Sequence, residues 1–212
     1  METLTYIVLA LVAIFVIYAL GGVIYRELII EKPAYTVVEK KDGYEIRTYA
    51  SYITASYTGT GGINNGFMNV AGYIFGGNIS SQKIAMTSPV LESETSGEKI
   101  AMTPPVISQE VDSEKTTSFV LPGGYTLETL PTPTNKNVVL TEVPEATWAV
   151  RIFRGRQLSQ KKEEEYVNEL MKKLDRDSIS YTSTYQFAYY DPPSTLPFLR
   201  RNEVWVQVAE AE

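Results

Sequence analysis

Lys83-Ile84-Ala85-Met86-Thr87-Ser88-Pro89-Val90 recurs sixteen residues on as Lys99-Ile100-Ala101-Met102-Thr103-Pro104-Pro105-Val106. Each copy alternates along its length and ends at proline, as a strand does where the ring removes a ladder donor. A weaker copy, Gln186-Phe187-Ala188-Tyr189-Tyr190-Asp191-Pro192-Pro193, stands in the second half of the chain. A period of sixteen is too short for a helical solenoid. The Ala-centred strand is instead one part of a larger unit that occurs twice.

Working outward from the doubled motif gives the rest of that unit. Tyr35–Lys40 and Tyr44–Tyr49 alternate and are rich in Tyr, Val and Ile, with Asp42-Gly43 as a tight turn between them. Tyr52–Tyr57 continues extended until Gly59-Thr60-Gly61-Gly62 breaks the chain. Phe67, Val70, Ala71 and Ile74 then recur at helical spacing over Asn64–Phe75, and Gly76-Gly77 offers a C-cap. Strands follow at Lys83–Val90, Lys99–Gln109 and Ser118–Leu121, before a Pro- and Gly-rich connection through Pro133. The order repeats. Val138–Val143 and Thr147–Phe153 read as strands, and Ser159 caps a helix running to about Asp175. Tyr166, Val167, Leu170, Met171 and Leu174 share one face of that helix, and Lys and Glu fill the others. Strands at Thr184–Tyr190 and Glu203–Val208 close the chain. The expected architecture is α+β: a distorted antiparallel β-barrel of two pseudo-symmetric β-α-β-β halves with two outer helices. A cleft is expected where each helix meets the barrel mouth.

The first residues are a different material. Thr3–Tyr25 contains no charged side chain, and about 20 apolar helical residues cross a bilayer core. No Lys or Arg precedes the run and no clear small-x-small site follows it, which argues against a cleaved signal peptide. The sequence therefore predicts a transmembrane anchor over residues 1–26, followed by a domain over 27–212. Arg26, Lys32, Lys40 and Lys41 follow the span, which places the domain on the cytoplasmic side of a single-pass membrane protein.

Composition excludes several chemistries. The 212 residues carry 19 Lys plus Arg against 25 Asp plus Glu, a net charge of −6. An acidic balance is unsuited to sequence-independent nucleic-acid binding, so no nucleic-acid partner is expected. With no Cys there is no disulfide, thiolate nucleophile or Cys zinc site, and with no His there is no Ser-His-Asp triad or imidazole-ligated iron. Glu128, Glu142 and Glu145 show no paired spacing of the kind acid–base catalysis uses, so no enzyme is expected.

Tyr44-Glu45-Ile46-Arg47, Tyr73-Ile74-Phe75-Gly76-Gly77-Asn78, the doubled Lys-Ile-Ala-Met-Thr-x-Pro-Val, Tyr190-Asp191-Pro192-Pro193 and Arg200-Arg201-Asn202-Glu203-Val204 stand in one order over about residues 35–208. In these motifs the chain resembles the SOUL haem-binding protein family. The resemblance implies the pseudo-symmetric barrel and a hydrophobic cleft for haem or another tetrapyrrole. The same double-unit architecture is similar to the small-molecule domains of GyrI-like and multidrug-sensing regulators. Some family members ligate haem through His, and this chain has none. Others pack the porphyrin along the first helix with basic side chains near the propionates. Here Asn64, Gly72 and Leu196 stand at the corresponding places.

The candidate contacts follow. Phe67, Val70, Ala71 and Ile74 form either an apolar wall for a macrocycle or the helix face laid on the barrel. Met86, which shares a strand face with Ile84 and Ser88, offers a thioether to haem iron or fills the core. Arg200 offers a guanidinium to a propionate or ties down the entry to the last strand. The function expected is a membrane-anchored binding or carrier domain for a tetrapyrrole, the ring rather than the metal supplying affinity. The alternatives are a binder of another amphipathic small molecule in a GyrI-like cleft and a membrane-held interaction domain with no ligand.

Overall fold

The computed structural model describes residues 2–24, 31–60, 62–79, 97–111 and 114–209. The first copy of the doubled motif, and Met86 with it, lies outside them. The chain runs through α1 (Glu2–Ile24), β1 (Tyr35–Lys41), β2 (Tyr44–Tyr49), β3 (Tyr52–Gly59), α2 (Gly62–Ile74) and β4 (Asn78–Ile79). It continues through β5 (Thr103–Val111), β6 (Glu114–Val120), β7 (Thr132–Pro133), β8 (Val138–Val143) and β9 (Ala146–Phe153). α3 (Gln160–Arg176), β10 (Tyr181–Tyr189) and β11 (Asn202–Val208) complete it. Lys99–Met102, expected as the start of a strand, precedes β5 without regular structure.

Nine strands form one sheet in the order β1-β2-β9-β11-β10-β5-β6-β3-β8, and β4 pairs with β7 in a separate ribbon. Every recorded pairing is antiparallel. Two units are legible in that order. β3, α2, β5 and β6 of one correspond to β9, α3, β10 and β11 of the other, and β2 and β8 are their leading strands. Exchanging the units reverses β2-β9-β11-β10-β5-β6-β3-β8 onto itself. The pseudo-twofold axis therefore passes between β5 and β10, where Ile107 faces Ala188. Each leading strand pairs with the strand that follows the other unit's leading strand: β2 joins β9 with Glu45 opposite Val150, and β8 joins β3 with Val143 opposite Tyr52.

The sheet is a curled half-barrel, not the closed barrel expected from the repeat, because β1 and β8 end the order and do not pair with each other. β1 lies outside the repeated unit and carries Glu39, Lys40 and Lys41 on a largely exposed strand. Charge of this kind on an edge discourages further pairing.

The helix ends are built locally. Gly76 takes φ +112°, and Gly77 N–H donates to Gly72 O at 2.8 Å while Gly76 N–H donates to Tyr73 O at 3.3 Å. This 6→1 and 5→2 pair closes α2 as a Schellman motif. α3 ends the same way without glycine: Ser178 has φ 58°, and Ile179 N–H donates to Leu174 O at 2.9 Å. Ser159 precedes α3 as expected but makes no side-chain capping bond.

Both helices lie on one face of the sheet. Val167, Leu170 and Leu174 of α3 pack with Tyr44, Ile46, Ala149, Phe187, Val204 and Val206. Val70, Tyr73 and Ile74 of α2 pack with Ala55, Phe119, Leu121 and Val138. The opposite face carries Tyr49, Trp148, Val150, Ala188, Tyr190 and Trp205. This alternation follows from the period of two along each strand.

α1 is a helix of 23 residues. Among the described residues no helix is long and apolar enough to cross a membrane, so the transmembrane part of the expected architecture is not borne out.

Leu170 is fully buried beneath α3. Leu170→Ala removes a packed side chain and is expected to lower stability by about 2–5 kcal/mol. Urea unfolding checks this: the midpoint falls while the slope is retained.

Candidate functional site

On the helix-free face a buried charge cluster joins β2 to β11. Glu203 is fully buried. Its Oε1 accepts from Arg47 Nη1 at 3.0 Å and from Arg201 Nε and Nη2 at 3.0 and 2.6 Å. Its Oε2 accepts from Tyr190 Oη at 2.9 Å and from Trp205 Nε1 at 2.8 Å. Five donors thus surround one carboxylate. Alternation places Arg47 and Tyr49 on one side of β2 and Glu203 and Trp205 on one side of β11, so strand geometry aims all four inward.

Aromatic rings wall the cluster. Tyr49 stacks on Trp205 at 4.3 Å, Trp205 meets Trp148 at 5.9 Å, and Arg201 lies 4.8 Å over the Tyr190 ring. Burial works against the charge of Arg47 and Arg201, but Glu203 prevails and holds both above the ordinary arginine value. Burial raises the phenols of Tyr49 and Tyr190, and the charge of Glu203 raises them further.

Tyr52 packs against this aromatic cluster and also lines an open cleft of about 620 Å³. The apolar lining includes Ile53, Val120, Leu121, Pro122 and Leu127, with Tyr125 beside them. Three carboxylates, Glu31, Glu128 and Glu142, and one ammonium, Lys32, also line it. Glu31 accepts from Gly123 N–H at 2.7 Å, which joins the segment before β1 to the loop after β6. Tyr125 Oη donates to Glu98 at 2.7 Å. Burial lifts Tyr52 to about 12.

The candidates read from the sequence fall elsewhere. Val70 and Ile74 are buried between α2 and the sheet, and Ala71 is buried beside them in the chain. Phe67 is half-buried, with its ring 5.0 Å from Phe119. None of the four lines the 620 Å³ cleft. Arg200 donates from Nε to Thr195 O at 2.7 Å and from Nη2 to Pro193 O, tying the turn before β11 to itself. The neighbouring Arg201 and Glu203 enter the buried cluster, and adjacency in the motif gave no indication of which arginine turns inward. Among the described residues no group of three or more acidic side chains is placed to hold a metal ion.

The remaining motif residues are structural fasteners. Tyr44 Oη donates to Asp177 at 2.6 Å, and Tyr73 Oη donates to Pro131 O at 3.0 Å. Asn78 donates to Tyr73 O and Glu98 O and accepts from Glu98 N–H, all within 2.9 Å. Asp191 accepts from Arg201 N–H at 2.6 Å, and Asn202 donates to Gly155 O at 3.1 Å.

The model of the family described as "SOUL heme-binding protein" matches residues 30–207. The chain belongs to the SOUL family. The match takes in the cleft and the Glu203 cluster. No curated protein matches the chain. Among solved structures it is similar to a hydrolase from Listeria innocua, at 13% identity and TM-score 0.55, covering 81% of this chain and 94% of that one. An uncharacterized conserved protein from Listeria innocua is similar at 14% identity and TM-score 0.52, with 84% and 92% covered. The EcmrR C-terminal domain is similar at 10% identity and TM-score 0.51, with 84% and 99% covered. At these identities the likeness is one of fold.

Two outcomes follow from the buried network. Glu203→Gln removes the buried charge that Arg47 and Arg201 share, leaving Arg47 with Glu45 at 2.8 Å, and is expected to destabilise the domain by about 3–5 kcal/mol, read as a lower denaturant midpoint. Alkali should act through the buried phenols. Tyr52 and Tyr73 are raised from 10.0 to about 12, so the folded state holds their protons more tightly than the unfolded chain. Their contribution is complete below pH 10.0 and is lost as pH rises through about 12. Tyrosinate absorbance should therefore show a set of phenols that ionise together with loss of far-ultraviolet dichroism.

Proposed function

We propose that this SOUL domain is a membrane-held binding or carrier module for haem or a related tetrapyrrole, taken in the 620 Å³ cleft without His ligation. The family match over residues 30–207 carries the proposal. The cleft lies within the 300–1,000 Å³ span of small-molecule sites and combines apolar walls with a few polar groups. With neither His nor Cys in the chain, packing of the ring is the main source of affinity.

Binding, not catalysis, is the activity proposed. Glu203 is the one fully buried carboxylate among the described residues, and its oxygens already accept from five donors. A carboxylate so engaged has no free lone pair for a substrate proton.

A second ligand class is favoured by a specific observation. Among the described residues three carboxylates against one ammonium line the cleft, a field that suits a cationic amphipathic molecule better than the propionates of haem. Such a ligand would occupy the same walls.

α1 is proposed to hold the domain at the membrane through its exposed apolar surface, with the domain on the cytoplasmic side. Side chains from Leu4 to Tyr18 are exposed around the helix, including Leu4, Ile7, Leu11, Ile14 and Ile17. No polar stripe separates them, so the helix has no face suited to water.

Four measurements test these proposals. Hemin and iron-free protoporphyrin should bind within about tenfold of each other, roughly 1.4 kcal/mol, because the iron gains no strong ligand. Hemin binding a thousandfold tighter would refute ring-driven affinity. Leu127, an exposed apolar residue of the cleft, should be sensitive: Leu127→Asp is expected to weaken porphyrin by about tenfold or more while the fold is retained. Tight binding of a lipophilic cation, weakened by Glu128→Gln, with no response to porphyrin would favour the second ligand class. Full-length chain should sediment with membranes and resist carbonate extraction, and recovery in the soluble fraction without detergent would remove the anchor.

A further inference from the structure

A second cavity, of about 220 Å³, opens on the helix-bearing face of the sheet. It sits beside the pseudo-twofold seam. The β5–β10 ladder stops at Ser108–Phe187 although both strands continue, to Val111 and back to Tyr181. The cavity occupies the space beside that divergence, and the first turns of α3 cover it with Gln160, Glu163 and Glu164.

Its chemistry is one-sided. Glu110, Glu163 and Glu164 line it, with Lys115 as the single cation. Lys115 is already paired with Glu163 at 3.2 Å, and Tyr189 donates to the other oxygen of Glu163 at 3.2 Å. Among the described residues Glu110 has a long contact with Gln160 Nε2, at 3.4 Å, and Glu164 is exposed at the mouth. The wall holds the rings of Tyr185 and Phe187. Burial first, then the charges of Glu110, Glu163 and Glu164, raise the Tyr185 phenol.

An independent observation points to a ligand. Ser108 lines the cavity, is 1% exposed, and its Oγ has no hydrogen-bond partner among the described residues. A buried hydroxyl left unpaired is unfavourable by about 1–3 kcal/mol, so a donor in the cavity would relieve a defect already present. Among the described residues no acidic group is placed to hold a metal ion, and three carboxylates oppose an anion. An organic cation meets each constraint. Its N–H groups donate to Ser108 Oγ and the carboxylates, and its carbon frame packs on Tyr185 and Phe187.

We infer that this cavity is a binding site for a small aliphatic diamine, separate from the cleft of the proposed function. Three carboxylates and one ammonium leave a charge of −2 at the site, which a dication balances.

Putrescine is the probe, titrated by calorimetry into full-length chain in mild detergent and phosphate buffer. Saturable binding at one site is expected, with none for the uncharged 1,4-butanediol. Ser108→Ala should weaken putrescine by about three- to tenfold, the worth of one hydrogen bond. Glu164→Gln, at an exposed position that leaves the fold intact, should weaken it by about tenfold. Glu145→Gln, a carboxylate outside the cavity, should leave it unchanged. The inference is overturned if millimolar putrescine gives no saturable heat. It is equally overturned if Glu164→Gln has no effect, or if Glu145→Gln weakens binding as much, since that would show diffuse attraction to an acidic protein. Porphyrin binding is unaffected by Ser108→Ala, so failure at this cavity and failure at the cleft are distinguishable.

Discussion

Glu203 is the point on which the helix-free face of the sheet depends. It lies on β11, and its partners come from β2, from the turn that leads into β11, and from β11 itself. A carboxylate removed from water is tolerated only when its charge and lone pairs are met, and here two guanidinium groups, a phenol and an indole meet them. Satisfying one residue therefore fixes the entry to the last strand, the position of β2 two strands away, and the rings that separate the cluster from solvent. Replacing any partner leaves the others buried and mismatched.

The same requirement explains why the family motifs are spread along the chain yet act as one. Arg47 belongs to the first motif and Glu203 to the last, 156 residues apart. Tyr190 and Asp191 bring the turn between β10 and β11 to Glu203 and to the backbone of Arg201. The Tyr73–Asn78 motif does comparable work beside α2. Its glycines close the helix, and Asn78 holds the returning chain at Glu98. These motifs are thus fasteners of the fold. The proposed ligand surfaces are made largely of other residues.

Duplication divides the molecule's tasks between the two faces. The helix face is filled twice, once by α2 and once by α3. The helix-free face carries the charge cluster, and the cleft is shared, with Tyr52 packed on that face and Ile53, Leu121 and Tyr125 packed with the α2 core. Both open spaces have more carboxylates than cations, in keeping with the net charge of −6. That balance bears more on which ligands are admitted than on the fold.

The sequence determined the repeat, most strand and helix positions, the family, and the absence of imidazole and thiolate chemistry. Those properties are local: periodicity along one element, glycine at a helix end, and residue counts. Val167, Leu170 and Leu174 were legible as the inner face of α3 because spacing alone aligns them. The stripe of Phe67, Val70, Ala71 and Ile74 was legible in the same way, but spacing does not say whether such a face meets a ligand or a sheet, and here Val70, Ala71 and Ile74 are core. Tertiary structure alone decided that Arg201 and Arg47 turn inward to Glu203 while Arg200 stays with its own turn. It also decided that residues before β1, at the start of β3 and after β6 gather into one cleft, and that β5 and β10 part beyond Ser108. Each depends on pairing between segments far apart in the chain. Strand register sets which side chains share a face, and register is fixed only once the partner strand is in place.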